Sequence, residues 1–506
     1  MFRFHIGMAC AVIISVLATS SAADNLSSTQ QRMMFRNQIK DAQGCQASAS
    51  GGSAVIELNG QALSAGPITC PDAFAWAQFA EAIKGEFWTW ATDKTMWPSE
   101  PQPLCTGDNG PNCCPTNPSD VDMDNAGKHC PAFTPGYDLY FSDSATNTTG
   151  ATDQIVDHGG LRSIDPGRFL RDQEKEIVYR NKPFFHYAYN SNLYSKAGLA
   201  NRFAEQSEAL NPKEGGIIDL GKLQMLRVEF PVDAVMVKVD FISGVAMDEL
   251  GLIPDTVNGV RNNAKYPYVV FQPNPDALGE LGDYFYLVTM TNASKDLPNW
   301  HWYAIEHVAN KGRCDYIGCN DSYGYTVNSS QNGADFGTHF ISPWITTDTG
   351  STDALFDVGK TYLPDVTGET ITQGLSDLFA GIGVGQGDNP SDLTTLHVSD
   401  PSWMNYRLKG TQLDFTYADG IPAGTGASVT EGGFVNSASC VTCHAQAAVD
   451  ASGSPATPIG GTWETNLMGF GRVAMGSPDA NMFYNFGGPS LTAVQVDFVW
   501  GILNAQ

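Results

Sequence analysis

Residues 436 to 448 read NSASCVTCHAQAA, with Cys440 and Cys443 three apart and His444 directly after. Two thiols and an imidazole on one helical turn suit three kinds of chemistry. They can form a redox dithiol, half of a zinc site, or the anchor of a covalent haem, in which the thiols add across the vinyl groups and the imidazole binds iron. A thioredoxin-like dithiol requires a preceding strand in a βαβ setting, and the sequence offers neither. Zinc requires a second ligand pair at suitable spacing; the other cysteines lie far upstream. The spacing therefore predicts one haem c, bonded to Cys440 and Cys443, with His444 as the proximal iron ligand. Ser437 or Ser439 would cap the short helix that presents them.

The far side of the iron decides the chemistry. A thioether there raises the potential, histidine lowers it, and an open position admits ligands. Met468, Met475 and Met482 follow the motif. Met482 lies nearest the position a class I cytochrome uses and is the expected distal ligand, with Met475 next. A histidine from upstream, or an open site, are the alternatives. The chain ends in SLTAVQVDFVWGILNAQ, which reads as a closing helix capped by Ser490 with Leu491, Val494, Phe498, Val499 and Ile502 on one face.

Other polar groups invite metal readings. If NWHWYAIEHV is a strand, His301, Tyr303, Ile305 and His307 share one face, and Trp302 and Glu306 the other. Six residues at about 3.3 Å each set the two histidines about 20 Å apart, so they cannot share an ion. Buried groups satisfied by hydrogen bonds are the simpler reading. Asp120, Asp122 and Asp124 are spaced like the start of a calcium loop, but Asn125 and Pro131 stand where glycine and glutamate belong. No nucleophile elbow, zinc-protease, phosphate-loop or dinucleotide fingerprint occurs in a meaningful context.

The elements that must position the motif begin after a leader. Arg3 and His5, the apolar run Ile6 to Leu17 and the small residues to Ala23 predict a signal peptide over 1–23. A periplasmic or secreted bacterial protein follows. No later run approaches 18 apolar residues, so no membrane span is expected. A net charge of −26 excludes nucleic acid and anionic membrane as partners, since both would repel it. It suits a cationic redox partner, a neutral small-molecule substrate or, most simply, solubility in salty surroundings. Cysteines outside the leader and the motif fit disulfides. Cys45 is expected to pair with Cys70 and Cys314 with Cys319. Because adjacent cysteines rarely bond each other, two connectivities stay open for Cys105, Cys113, Cys114 and Cys130.

The fold class predicted is α+β: a large β-rich, disulfide-stapled domain over 24–430, then a small, mostly helical haem domain over 431–506. Residues 29–43 read as a helix. A second helix starts at Pro71 with Phe74, Trp76, Phe79, Ile83, Phe87 and Trp90 as a core stripe. Residues 97–136 form an irregular excursion. Strands are expected within 223–242 (a pair), 266–272, 284–294, 300–308 and 407–418. The run TYADGIPAGTGASVTEGG (416–433) reads as a linker.

Taken together, these residues resemble a group of exported bacterial proteins known as cytochrome c family proteins, which carry one C-terminal C-x-x-C-H, a closing D-F-x-W helix and a long preceding domain. The matching positions are Cys440, Cys443, His444 and Ala445, then Asp497, Phe498 and Trp500. Trp302, Glu306 and His307 match a W-x-x-x-E-H segment, and YRNKPFFHYAYNSNLYSKAGL and VEFPVDAVMVKVDF are also similar. The excursion at 97–136 and the loop CDYIGC depart from the pattern. The resemblance implies haem and export and names no substrate. Electron transfer is the expected activity. The alternatives are an oxidoreductase whose large domain binds a small molecule and passes electrons to the haem, or a haem sensor of gas or redox state.

Overall fold

The computed structural model describes residues 41–64, 66–107, 110–116, 129–133, 166–171, 173–210, 220–274, 276–310, 313, 321–324, 371–418, 420, 422–432, 435, 438–456, 475–485, 487 and 490–506. The expected leader, most of the 29–43 helix, the aspartate run at 120–127, Met468 and the Cys314–Cys319 pair lie outside them.

Short strands β1 (Cys45–Ser50), β2 (Ser53–Leu58) and β3 (Gln61–Ala62) form an antiparallel meander. The disulfide Cys45–Cys70 staples it to α1 (Pro71–Lys84). That helix starts where proline is tolerated, carries Asp72 in its first turn and stops at Gly85. Phe74, Trp76, Phe79 and Ile83 are all buried, so the aromatic stripe is core. Phe87 continues it in a separate 3-10 turn, because Glu86 takes a positive φ and ends the helix.

A six-stranded antiparallel sheet dominates. It comprises β4 (Glu174–Arg180), β5 (Val235–Ser243), β8 (Val270–Phe271), β9 (Phe285–Ser294), β10 (His301–His307) and β11 (Tyr406–Gln412), in the order β11-β10-β9-β5-β4 with β8 beside β9. A hairpin of β6 (Asp255–Val257) and β7 (Val260–Asn262) stands apart. The molecule is thus α+β. Helices α2 (Lys182–Asn190), α3 (Lys196–Leu210) and α5 (Cys440–Ala445) pack on one side of the sheet and α4 (Gln373–Ile382) on the other.

Period-two alternation gives the sheet two faces. Ile177, Tyr179, Val237, Val239, Tyr303 and Ile305 join a core with α1 and α4. Met236, Ala293 and Trp302 join a second core with α2, α5 and the tail residues Val496, Phe498 and Ile502. The described residues of 438–449 and 493–505 therefore pack on the sheet rather than beside it.

Several expectations change. The start of 223–242 belongs to a helix, Leu220–Leu226, because Leu, Lys, Gln and Met all favour helix; residues 227–234 are turn and coil, and strand begins only at Val235. The 266–272 strand shrinks to β8. The linker reading fails: Ala423, Ala427, Ser428, Val429 and Thr430 are buried, so the small residues there reflect tight packing. The closing helix is absent. In its place are β14 (Ser490–Leu491), paired with β13 (Tyr484–Asn485), then β15 (Val494–Gln495), paired with β12 (Ala448–Val449), and a 3-10 turn at Trp500–Asn504. Asp497 and Phe498 both take positive φ, which no α-helix accommodates. The cysteine excursion resolves to Cys105–Cys113 and Cys114–Cys130. Among the described residues, no helix is long and apolar enough to cross a membrane.

Candidate functional site

The motif sits on α5, six residues whose start is fixed from two sides. Ser439 caps it, accepting from the Thr442 amide. Gln412, the last residue of β11, donates to Ser439 Oγ at 2.8 Å and accepts from the Val441 amide at 3.3 Å. Thr442 Oγ1 donates to the Gly476 carbonyl at 2.7 Å. The helix is thereby docked on the sheet edge, not free to swing.

Its end is held by the tail. Trp500 Nε1 donates to the Cys443 carbonyl at 3.1 Å, and His444 Nδ1 lies 2.8 Å from the Phe498 carbonyl. A carbonyl can only accept, so Nδ1 carries the proton and Nε2 keeps its lone pair; among the described residues nothing hydrogen-bonds Nε2. Burial pushes the His444 pKa down to about 4, so the ring is neutral at ordinary pH. A neutral imidazole locked through Nδ1 to a backbone carbonyl is the usual arrangement for a metal-ligating histidine. Trp302 packs against the ring with centroids 4.3 Å apart.

The carbonyl that orients His444 depends on Asp497. Its carboxylate accepts from Lys295 Nζ at 2.7 Å, from Trp300 Nε1 at 3.3 Å and from the Phe230 amide at 2.6 Å. These bonds stabilise the left-handed backbone at Asp497 and Phe498. The D-F-x-W residues are thus a hook rather than a helix face: Asp497 anchors it, Phe498 offers its carbonyl and Trp500 holds α5.

Between α5 and the sheet lies a cavity of about 330 Å³ onto which Cys440, Cys443 and His444 all open. Its floor is one face of the sheet, with Glu174, Glu176, Val178 and Arg180 from β4, Met236 and Lys238 from β5, and Trp302 from β10. Gly501 lies on the wall where any Cβ would collide with the Arg180 guanidinium. That guanidinium pairs with Asp93 at 2.7 Å and stacks over Trp97. Lys238 pairs with Glu176 at 2.7 Å. Burial would raise Glu176, but the Lys238 ammonium outweighs it and holds that carboxyl below its ordinary range. Burial, with Asp240 close by, pushes Glu174 well up, and burial pushes Asp240 itself up to about 7. Both therefore retain protons to unusually high pH.

The thiols do not suit dithiol exchange. Cys440 is buried, its Sγ donating to the Thr425 carbonyl at 3.3 Å, and burial raises its pKa well above the ordinary thiol value. A reactive thiol needs the opposite shift. Among the described residues no third cysteine or histidine groups with them as a zinc site would need.

The methionines fall elsewhere. Met482 ends a 3-10 turn at Ala480–Met482, and Met475 lies beside Gly424; neither lines the cavity, whereas Met236 does. His301 and His307 point to the opposite side of the sheet. His301 Nε2 lies 3.1 Å from the Pro71 carbonyl. His307 accepts from the Ala309 amide through Nδ1, sits 3.2 Å from the Pro267 carbonyl through Nε2 and stacks on Tyr268. Glu306 is fully buried, bound by Lys409 Nζ at 3.1 Å, by Ser428 Oγ at 2.7 Å and by the Ser428 amide. Glu306 and His307 are satisfied structural groups, whereas His301 Nδ1 is buried without a hydrogen-bond partner among the described residues.

The charged floor escaped sequence reading. Its signal was the alternation of Glu174, Glu176 and Arg180, and of Lys238 and Asp240, which reads as an ordinary solvent face. Compared with family models, with characterised proteins and with solved structures, the chain matches none.

Proposed function

We propose that this chain binds one haem c, through Cys440 and Cys443 with His444 as an iron ligand, and uses it for electron transfer outside the cytoplasm. The observation that carries the reading is the convergence of all three motif side chains on one cavity, with His444 Nδ1 spent on the Phe498 carbonyl. The residues fit the group: two thiols outside any disulfide, a neutral imidazole with Nε2 available, and aromatic walls from Trp302 and Trp500. Bound there, a haem supplies a one-electron couple whose potential follows its axial ligands and the surrounding charge. The chain holds the imidazole and places Lys238 and Arg180 among the nearby charges. The three disulfides are compatible with an exported protein, and a periplasmic location with a cationic redox partner fits the net charge.

One observation favours a second reading, small-molecule oxidoreduction. A simple carrier has little use for a cavity floored by Glu174, Glu176 and Lys238, whereas such groups can bind a substrate and exchange its protons. Expression with a c-type maturation system tests the first reading: covalent haem at one per chain is expected after denaturing electrophoresis, and a haem-free polypeptide overturns it. Carbon monoxide then separates the readings. A reduced form that binds it has an open iron position, which favours the oxidoreductase; a form that does not favours the carrier.

A further inference from the structure

The cavity floor holds a cluster the haem reading does not use. We propose that Glu174, Glu176 and Asp240 bind a hard divalent cation, calcium by preference, at the β4–β5 edge of the cavity. Glu176 and Asp240 are directly opposed across the two strands, and Glu174 lies two residues along on the same face. One carboxylate oxygen from each of the three lies within 4.8 Å of the others. Oxygens about 2.4 Å from a shared calcium ion would be separated by no more than about 4.8 Å.

A second observation points into the cluster. Asp240 is fully buried, yet among the described residues its Oδ1 has no hydrogen-bond partner, while Oδ2 accepts from Thr430 Oγ1. Glu174 Oε2 is also buried and, among the described residues, without a hydrogen-bond partner. Native proteins rarely leave such atoms unsatisfied, and an ion is one of the standard explanations. Lys238 meets Glu176 Oε2, and Arg171 and Glu431 stand at the same lining, so two cationic side chains face four carboxyls. An all-oxygen set with neither nitrogen nor sulfur excludes a preference for zinc or copper.

The proposal is independent of the haem, because the test reads the cation directly. The full chain, stripped with a chelator, is titrated calorimetrically with CaCl₂ and separately with MgCl₂. One calcium per chain is expected, with magnesium weaker, and calcium raises the melting temperature. Asp240→Asn is isosteric and should weaken calcium at least tenfold; Glu174→Gln, at the cavity edge, should do so if the Asp240 variant fails to fold. No calcium uptake by the wild type overturns the proposal. So does uptake unchanged in a folded variant, which would put the ion elsewhere, and tighter magnesium binding overturns the preference for calcium.

Discussion

The two faces of the central sheet are built from the same strands and treat their side chains in opposite ways. Along β5, Val237, Val239 and Phe241 enter the core beneath α1, whereas Met236 and Lys238 line the cavity and Asp240 lies on the same face. Along β4, Ile177 and Tyr179 go one way and Glu174, Glu176 and Arg180 the other. The α1 face is closed by apolar contact, which needs no pairing of partners. The α5 face is closed by a clamp of hydrogen bonds and ion pairs around charged groups. The first arrangement secures the fold. The second sacrifices burial energy to keep titratable groups beside the cysteines and histidine, as functional sites commonly do.

If the faces divide labour in this way, the largest effect should come from the cavity side. Cys440→Ala with Cys443→Ala should abolish covalent haem on a denaturing gel while the chain stays folded. Covalent haem persisting in that variant would place its attachment elsewhere. Trp76→Ala on the opposite face should cost about 3–5 kcal/mol in denaturant unfolding, with haem per folded chain unchanged. Reduced haem loading at intact stability would show that the faces are not separable. Asp497→Asn should cost about 3 kcal/mol, since it leaves the buried Lys295 ammonium without its carboxylate. It should also perturb the visible spectrum through the Phe498 carbonyl, and a spectrum matching the wild type would remove the hook from the site.

Protons offer a finer comparison. Burial pushes Asp240 up to about 7 on the cavity face and Asp321 up to about 8 near Trp76, from an ordinary 3.8. In each case the native state holds the proton more tightly than the unfolded chain. Their stabilisation is therefore complete below about pH 4 and is lost as pH rises to about 7 for Asp240 and about 8 for Asp321. Calorimetric melting of the chelator-treated, calcium-free protein across that window should show a shallower decline for Asp240→Asn than for the wild type. An undiminished decline would mean that the cavity face holds no such proton. The smallest effect expected is that of Met482→Ala, which should leave the haem spectrum unchanged, while Met236→Ala should shift it. A lost thioether band in the Met482 variant would bring that residue to the iron.

Much of this was legible in the chain. The strands β9 and β10 and the helix α1 follow local alternation and periodicity, and Cys45–Cys70 follows from proximity in sequence. Strand geometry separates His301 from His307, and the expected hydrogen-bonded burial of Glu306 and His307 is what the fold shows. The 220–226 helix was hidden by Val-rich neighbours, and the closing helix was suggested by a pattern that ignored the backbone at Asp497. The run at 422–432 reads as a linker because Gly, Ala, Ser and Thr serve both loose chain and dense packing.

By itself, the sequence determined the constellation of Cys440, Cys443 and His444, since residues three and four apart on one helical turn face each other whatever surrounds them. It also determined the strand faces, since alternation is a property of the backbone. Only the tertiary structure decided what those faces meet. The Asp497 carboxylate reaches the Phe230 amide across 267 residues, and His444 finds its carbonyl 54 residues on. The polar face of β4 and β5 carries the same pattern whether it meets bulk water or a closed cavity, and long-range packing of the tail is what chose the cavity.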